Sequence, residues 1–114
     1  MKNSMTSVRY QQLVSLLVKL EQEMVSVGQW SAERPPAAAF QSIQPFCIDT
    51  MSFSQWLQFV FMQRLLALVE QQQPLPRLPV GQGISPMAEE FYKNQPDCRS
   101  VVGIIKQLDI LLSE

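Results

Sequence analysis

The sequence predicts an all-α fold, a small helical bundle in which residues 1–114 form one domain of three long and two short helices. Three observations carry this prediction. Apolar residues recur at steps of three and four in three long segments, prolines and glycines separate the segments, and no stretch has the alternating pattern of a strand. With 114 residues, 46% of them hydrophobic, the chain can bury one core without disulfides or metals.

The first long helix is predicted over residues 6 or 7 to 27. Gly28 follows it and supplies the left-handed residue that commonly ends a helix. Its apolar residues share one face and should pack on the core: Tyr10, Leu13, Leu17, Leu20, Met24 and Val27. A short helix is predicted over residues 36–43, with Phe40 and Ile43 on its buried side. Residues 44–51 are predicted to form an ordered loop, because they are too apolar to extend freely into water.

The third segment, residues 52–72, is predicted to be the central and most buried helix. Ser52, with Gln55 three residues later, has the pattern of a capping box. Apolar side chains then point in nearly every direction, and a helix that is apolar all round is buried all round. We therefore expect Trp56 to be largely buried. Arg64 is the single cation among these apolar residues, so it should either extend to solvent or pair with a carboxylate.

The C-terminal part is predicted to contain a connector and two further helices. Residues 73–85 hold three prolines and two glycines, which predicts an extended connector. Ser85 is expected to cap a short helix over residues 86–94, and Asp97 a last helix that ends near Leu112. The last helix has a second apolar stripe: Val101, Ile104, Ile105, Leu108, Leu111 and Leu112.

Charge and composition argue against several classes of function. The net charge is −1 and the nine Lys and Arg residues are spread singly, so strong nucleic-acid binding by the chain alone is not expected. No secretion signal and no apolar run of membrane-spanning length is visible, which predicts a cytoplasmic protein without membrane contact. Cys47 and Cys98 are interpreted as reduced, partly buried thiols, with a disulfide as the alternative. No metal or cofactor is predicted, because there is no His and two thiolates do not complete a zinc site.

No catalytic constellation is visible in the sequence, so we predict that the protein is not an enzyme. It lacks His, the commonest general base, and it has no Gly-rich phosphate loop. Asp49 and Thr50 form a polar pair in an apolar loop, where they either bond to loop backbone and to the amides that open the next helix, or bind a ligand. The candidate binding residues are Phe46, Asp49, Thr50, Trp56 and Arg64.

Two blocks of residues resemble a known family. Residues 44–51, Gln-Pro-Phe-Cys-Ile-Asp-Thr-Met, are followed by Trp-Leu-Gln-Phe-Val at 56–60 and by Arg64. This pattern resembles the YqcC-like family of small, uncharacterised bacterial proteins. Further matching positions lie at residues 75–76, 86–90 and 108–109. The sequence departs from the family at Gln63, where the family pattern has proline, so the third helix should be straighter here.

The resemblance implies an all-helical bundle and carries over no catalytic residue. Genes of this family often lie beside a gene for a tRNA pseudouridine synthase, which makes such an enzyme a candidate partner. Those synthases carry their nucleophilic Asp in an Arg-Leu-Asp motif on a larger, strand-rich domain. This chain has Gln107-Leu108-Asp109 on an amphipathic helix instead.

We therefore predict a non-enzymatic interaction or accessory module, a monomer or weak homodimer that binds a protein partner through an apolar surface or through the loop at 44–51. The alternative is a small-ligand binding protein with a pocket between helices near Arg64 and Asp49.

Overall fold

The computed structural model of the chain describes residues 4–78 and 83–114. Four helices lie within these residues: α1 (Ser4–Ser26), α2 (residues 53–70), α3 (Ser85–Tyr92) and α4 (Arg99–Ser113). Short 3-10 turns occur at Ala37–Gln41, Pro45–Cys47 and Pro96–Cys98. The described residues contain no β-strand, and the predicted all-α fold is confirmed.

Helix α1 buries the predicted stripe. Leu13, Leu17, Leu20 and Met24 are buried, and Tyr10 and Val27 are half-buried. Gly28 ends the helix with a φ of 75°. Its N–H donates to the Val25 carbonyl at 3.2 Å, and the Gln29 N–H donates to the Met24 carbonyl at 2.7 Å. This pair of bonds is the Schellman motif, which favours glycine at this position.

Helix α2 is one continuous helix made of three consecutive pieces. An α-helical Phe53–Trp56 is followed by a π-helical turn, Leu57–Phe61, and by α-helical Met62–Glu70. The predicted capping box is present: the Gln55 N–H donates to Ser52 Oγ at 3.1 Å, and the Ser52 N–H donates to Gln55 Oε1 at 2.9 Å. The π turn was not predicted. It ends where the Met62 N–H donates to the Leu57 carbonyl, five residues back.

The predicted burial of α2 is confirmed along most of its length. Within residues 53–70 the exposed side chains are Gln63, Arg64 and Glu70. Phe53 and Leu57 are fully buried, and they share one core with the stripes of α1 and α4. Trp56 also packs against this core and most of its surface is buried, as predicted, although part of it stays exposed. The side chain lies where α2 meets a surface groove, so it packs on the core from one side only.

Helix α4 buries all six residues of its predicted stripe. Its closest helix neighbour is α1. The segment that precedes α3 joins this pair, since the Leu78 N–H donates to the Leu112 carbonyl at 2.9 Å. Residues 73–78 form neither helix nor strand, which agrees with the predicted connector, while positions 79–82 of that connector lie outside the described residues.

The segment at 36–43 differs from its prediction. A 3-10 turn, Ala37–Gln41, replaces the predicted helix, and Ile43 is 95% exposed rather than buried. Ser42 ends the turn in an extended conformation, and Gln44 is also extended, as expected for a residue that precedes proline. The extended backbone carries Ile43 away from the buried side of the turn.

The caps of α3 and α4 also differ from their predictions. Ser85 is the first residue of α3 rather than its cap, and the cap position, Ile84, makes no side-chain bond. Asp109 of α4 takes over this role, because its two carboxylate oxygens accept the N–H groups of Ile84 and Ser85, each at 2.8 Å. Asp97 lies in the 3-10 turn before α4, and Cys98 occupies the cap position without a side-chain bond.

Candidate functional site

A surface groove lies between the loop that precedes α2 and the first half of α2. We call it the loop groove. Its volume is about 420 Å³, and the residues that line it are Phe40, Ser42, Gln44, Phe46, Cys47, Trp56, Phe59, Val60 and Arg64. All nine of these residues are half-buried or exposed, so the groove is an open depression rather than an enclosed cavity.

The structure separates the five candidate binding residues into two groups. Phe46, Trp56 and Arg64 line the loop groove, whereas Asp49 and Thr50 do not. The Thr50 hydroxyl donates to the Ala39 carbonyl at 2.7 Å, which is a bond to loop backbone as expected. Asp49 accepts the Ser42 hydroxyl instead of the amides that open α2. Asp49 and Thr50 therefore tie the end of the loop to the segment before it, residues 39–42.

The loop reaches the groove through two residues in the left-handed region. Phe46 has a φ of 58° and Cys47 a φ of 49°. This conformation costs a non-glycine residue about 1–2 kcal/mol, so the surrounding packing must hold it. The Phe46 ring packs edge-on against Trp56, with centroids 4.9 Å apart, and against Phe53 at 5.8 Å. These aromatic contacts fix the strained part of the loop on α2.

The π turn of α2 forms the opposite wall. Gln58 within it is buried, and its amide bonds to the backbone of Ser31 twice: it accepts the Ser31 N–H at 2.8 Å and donates to the Ser31 carbonyl at 2.9 Å. Phe59 and Val60, the next residues of the turn, line the groove. The Gln63 amide donates to the Gln58 carbonyl at 3.4 Å at the end of the turn. Such turns are frequent at functional sites.

Two arginines give the site its charge. Arg64 is exposed and is the only charged side chain among the described residues that line the groove. The Arg34 guanidinium lies over the Phe40 ring, 4.4 Å from its centroid, and 5.9 Å from the centroid of Phe59. Within residues 4–78 and 83–114 neither arginine forms an ion pair. The groove therefore combines an aromatic surface with positive charge.

A second groove lies between α1 and α4, and we call it the α1–α4 groove. Its volume is about 520 Å³. Its lining is aliphatic and polar: Val8, Gln11, Gln12, Ser15, Leu16, Gln107, Ile110, Leu111 and Glu114. Val8 is 49% and Ile110 is 62% exposed. None of the five candidate binding residues lies in this groove.

The titratable groups buried elsewhere lie in a small polar cluster. The hydroxyls of Tyr92 and Ser54 are 2.6 Å apart, and the Ser54 hydroxyl donates to Gln29 at 2.7 Å. Burial raises the pKa of Tyr92 to about 12, although the bond to Ser54 opposes this shift. Burial also raises the pKa of the Cys98 thiol, with a smaller contribution from Asp97. Both groups are therefore held in their protonated forms at neutral pH.

Neither a metal-binding cluster nor a membrane-spanning helix occurs among the residues that the structure describes. No group of three or more His, Cys, Asp or Glu side chains in residues 4–78 and 83–114 is placed to hold a metal ion. None of the helices described here combines the length and the apolar character needed to cross a bilayer.

Six of the groove residues were not among the predicted site residues, namely Phe40, Ser42, Gln44, Cys47, Phe59 and Val60. Phe59 and Val60 were interpreted as parts of a helix buried all round. A signal was nevertheless present: the two blocks that carry the family resemblance, residues 44–51 and 56–60 with Arg64, supply most of the two walls.

Comparison with known proteins gives consistent matches. The model of the DUF446 family, described as tRNA pseudouridine synthase C, matches residues 12–111. An uncharacterized protein of Haemophilus influenzae is 43% identical over 77 residues, which cover 68% of this chain and 70% of that protein. The solution NMR structure of protein YqcC from E. coli has a TM-score of 0.79 and 27% identity, and the match covers 93% of this chain and 89% of that chain.

A third relative is an enzyme. The tRNA pseudouridine synthase C of Pectobacterium carotovorum is 36% identical to this chain over 69 residues. The match covers 60% of this chain but 18% of the synthase. The similar segment is thus a minor part of that protein.

Proposed function

Since the chain belongs to the DUF446 family, which includes the YqcC-like proteins, we propose that it is a non-enzymatic accessory protein of a tRNA pseudouridine synthase. The observation that carries this proposal is the P. carotovorum synthase, in which a segment similar to this chain forms 18% of the enzyme's own polypeptide. Two modules that are joined in one polypeptide are at a high effective concentration relative to each other. As a separate molecule, this chain needs a binding surface to reach a synthase, and we assign that role to the loop groove.

The environment of Asp109 supports a role without catalysis. It belongs to Leu108-Asp109, the part of the chain most similar to the Arg-Leu-Asp motif of pseudouridine synthases. Both oxygens of its carboxylate accept backbone N–H groups at the start of α3. A carboxylate held in this way caps a helix and is not free to attack a uridine. The raised pKa of Cys98 likewise disfavours this thiol as a nucleophile.

The chemistry of the loop groove supports a protein partner. Trp and Arg are the side chains that most often dominate binding energy at protein interfaces, and the groove contains Trp56 and Arg64. Ile43, 95% exposed, and Ile48, 44% exposed, add apolar surface in the segment that supplies one wall of the groove. An apolar surface that is organised by the fold but left uncovered is typical of an interaction site.

The distribution of charge favours protein contact over direct binding of tRNA. Lys93 pairs with Glu90 at 2.8 Å, and Lys106 pairs with Glu89 at 3.2 Å, so two of the nine basic residues are partly neutralised. Affinity for RNA grows with the number of phosphates that a surface neutralises. Scattered and partly paired cations neutralise few of them.

The test combines the purified chain with the tRNA pseudouridine synthase C of the same host. Complex formation is followed by analytical ultracentrifugation, and turnover by pseudouridine formation in tRNA. We expect a complex, an altered rate or KM for tRNA, and no turnover by this chain alone. Turnover by the chain alone would overturn the non-enzymatic assignment, and the absence of both a complex and a rate change would overturn the partnership.

Asp49→Ala tests whether the loop must be intact. It removes the acceptor of the Ser42 hydroxyl, so the loop should loosen and the complex should weaken. Asp97→Ala is the matched control, because Asp97 is also exposed but lies in the turn before α4. Equal effects of the two substitutions would argue against a role for the loop.

A small anionic ligand is the second candidate function. The volume of the loop groove, about 420 Å³, falls within the size range of small-molecule sites, and Arg64 could pair with a carboxylate. Titration calorimetry with benzoate, with Arg64→Gln as the control, tests this candidate. Binding heat that the native protein shows and the Arg64→Gln variant lacks would favour a small anionic ligand. No binding heat with either protein would exclude this class of aromatic carboxylate.

A further inference from the structure

We propose that the loop groove receives an acidic amphipathic segment of the synthase. An apolar side chain of that segment lies against Trp56 and Phe59, and one of its carboxylates pairs with Arg64. The inference rests on the proposed function and goes beyond it, because it specifies which chemistry of the partner is recognised.

The charge of the groove selects an anionic segment. Arg64 carries the charge of the described lining, and Arg34 adds a second guanidinium beside Phe40. The nearest carboxylate in the loop sequence, Asp49, is already bound by Ser42. A guanidinium binds a carboxylate through two parallel hydrogen bonds, which gives the contact a direction as well as energy.

The apolar surface makes the occupant a polypeptide segment rather than a small molecule. Ile43 lies between Ser42 and Gln44, and Ile48 follows Cys47, so both flank lining residues. Both side chains are exposed, so they add apolar surface at positions next in sequence to lining residues. An amphipathic segment can fill the groove with one side chain and cover these isoleucines with its neighbours.

The shape of the groove is fixed before any partner arrives. The left-handed residues Phe46 and Cys47 are held by aromatic packing, and the π turn is held by the two bonds between Gln58 and Ser31. A preformed groove avoids the ordering cost that a flexible loop would incur on binding.

A second copy of this chain does not suit the same groove. A two-fold contact through the groove would bring both Arg64 guanidiniums into one interface, since both partners use the same surface, and the described lining offers neither of them a carboxylate. Like charges brought together in this way disfavour the contact.

Three variants test the contact directly in the complex of the full chain with full-length synthase C. We expect Ile43→Asp and Arg64→Glu each to raise the Kd of the complex by roughly 10- to 100-fold, and Arg64→Lys to raise it by only about 2- to 5-fold. Ile110→Asp is the matched control, because Ile110 is 62% exposed but lies in the α1–α4 groove, and it should leave Kd unchanged. The substituted residues are exposed, and far-UV circular dichroism with thermal unfolding verifies that each variant folds.

A photo-crosslinking amino acid at position 43 identifies the segment. The expected crosslink lies in a synthase peptide that carries Asp or Glu beside apolar residues, and changing that acid to Arg should restore binding to the Arg64→Glu variant. Crosslinks to a second copy of the chain, to tRNA, or to a segment without a carboxylate would overturn the inference. A complex that Ile43→Asp and Arg64→Glu leave intact overturns this inference alone, whereas the absence of any complex overturns the proposed function and this inference with it.

Discussion

The loop groove and the α1–α4 groove are similar in size, about 420 and 520 Å³, but they are built differently. The α1–α4 groove lies between two regular helices and is lined by aliphatic side chains, glutamines, one serine and one glutamate. The loop groove contains two left-handed non-glycine residues and borders a π turn, and it gathers aromatic side chains around one arginine.

This difference indicates that the α1–α4 groove results from helix packing alone, whereas the loop groove is a candidate site. Any two helices packed side by side leave a depression between them, and forming it requires no unusual backbone. Left-handed residues and π turns cost free energy, so they persist only where the surrounding structure holds them, and they are concentrated at functional sites. The loop groove is therefore the surface that should be tested first.

The largest expected effect tests where the core ends and the groove wall begins. Phe53→Ala should destabilise the protein by about 3–5 kcal/mol, because Phe53 is fully buried among four other aromatic rings. Trp56→Ala should cost less, about 1–3 kcal/mol, because Trp56 is half-buried at the groove. Urea denaturation measures both. If the two substitutions lower the free energy of unfolding equally, Trp56 belongs to the core rather than to the groove, and the contrast between the two grooves is weaker.

The next effect concerns Tyr92, whose hydroxyl lies 2.6 Å from that of Ser54 in α2. Its pKa is raised from 10.0 to about 12 mainly by burial, so the unfolded chain loses this proton at a lower pH than the folded protein. The stability that this difference provides is present below pH 10 and is lost as the pH rises towards 12, about 2–3 kcal/mol in all. Denaturation from pH 8 to 11.5 should show the decline in the native protein. The Tyr92→Phe control should show a much smaller decline. If the free energy of unfolding falls with pH equally in both proteins, Tyr92 is not its cause.

A smaller effect is expected at the cap that α4 provides for α3. A Cβ at Gly83 would overlap the Asp109 carboxylate, so Gly83→Ala should displace the cap. Gly83→Ala and Asp109→Ala should each cost about 1–2 kcal/mol, as the loss of a helix cap does. Because both break the same contact, the double variant should cost less than the sum of the two. Strict additivity in this double-mutant cycle would show that the two substitutions act separately.

The smallest effect tests the strain itself, and its sign is decisive. Cys47→Gly should stabilise the protein by about 0.5 kcal/mol, because glycine adopts a φ of 49° without the cost borne by other residues. Ala38→Gly is the control in the neighbouring 3-10 turn, where Ala38 is exposed, and this substitution should destabilise the protein by about 0.5–1 kcal/mol. Thermal unfolding compares the two variants. Equal destabilisation would mean that Cys47 is not strained, and the comparison of the grooves would lose its basis.

The sequence by itself determined the features that depend on a few neighbouring residues. The stripes of α1 and α4 follow from the helical period, so Leu13, Leu17 and Leu108 could be assigned to the core without a structure. The capping box of Ser52 and Gln55 spans four residues, and Gly28 acts within one turn of α1. These signals are local because the hydrogen bonds that they control are local.

The tertiary structure alone decided the features that depend on distant parts of the chain. Ile43 resembled a core residue, but its burial required a surface opposite it, and the extended backbone before Pro45 places none there. The cap of α3 comes from Asp109, 24 residues beyond Ser85, which no local pattern could indicate. Trp56 and Arg64 belong to one groove because a loop that precedes α2 folds back on it. Each of these outcomes depends on a contact between separate segments, and such contacts exist only once the chain has folded.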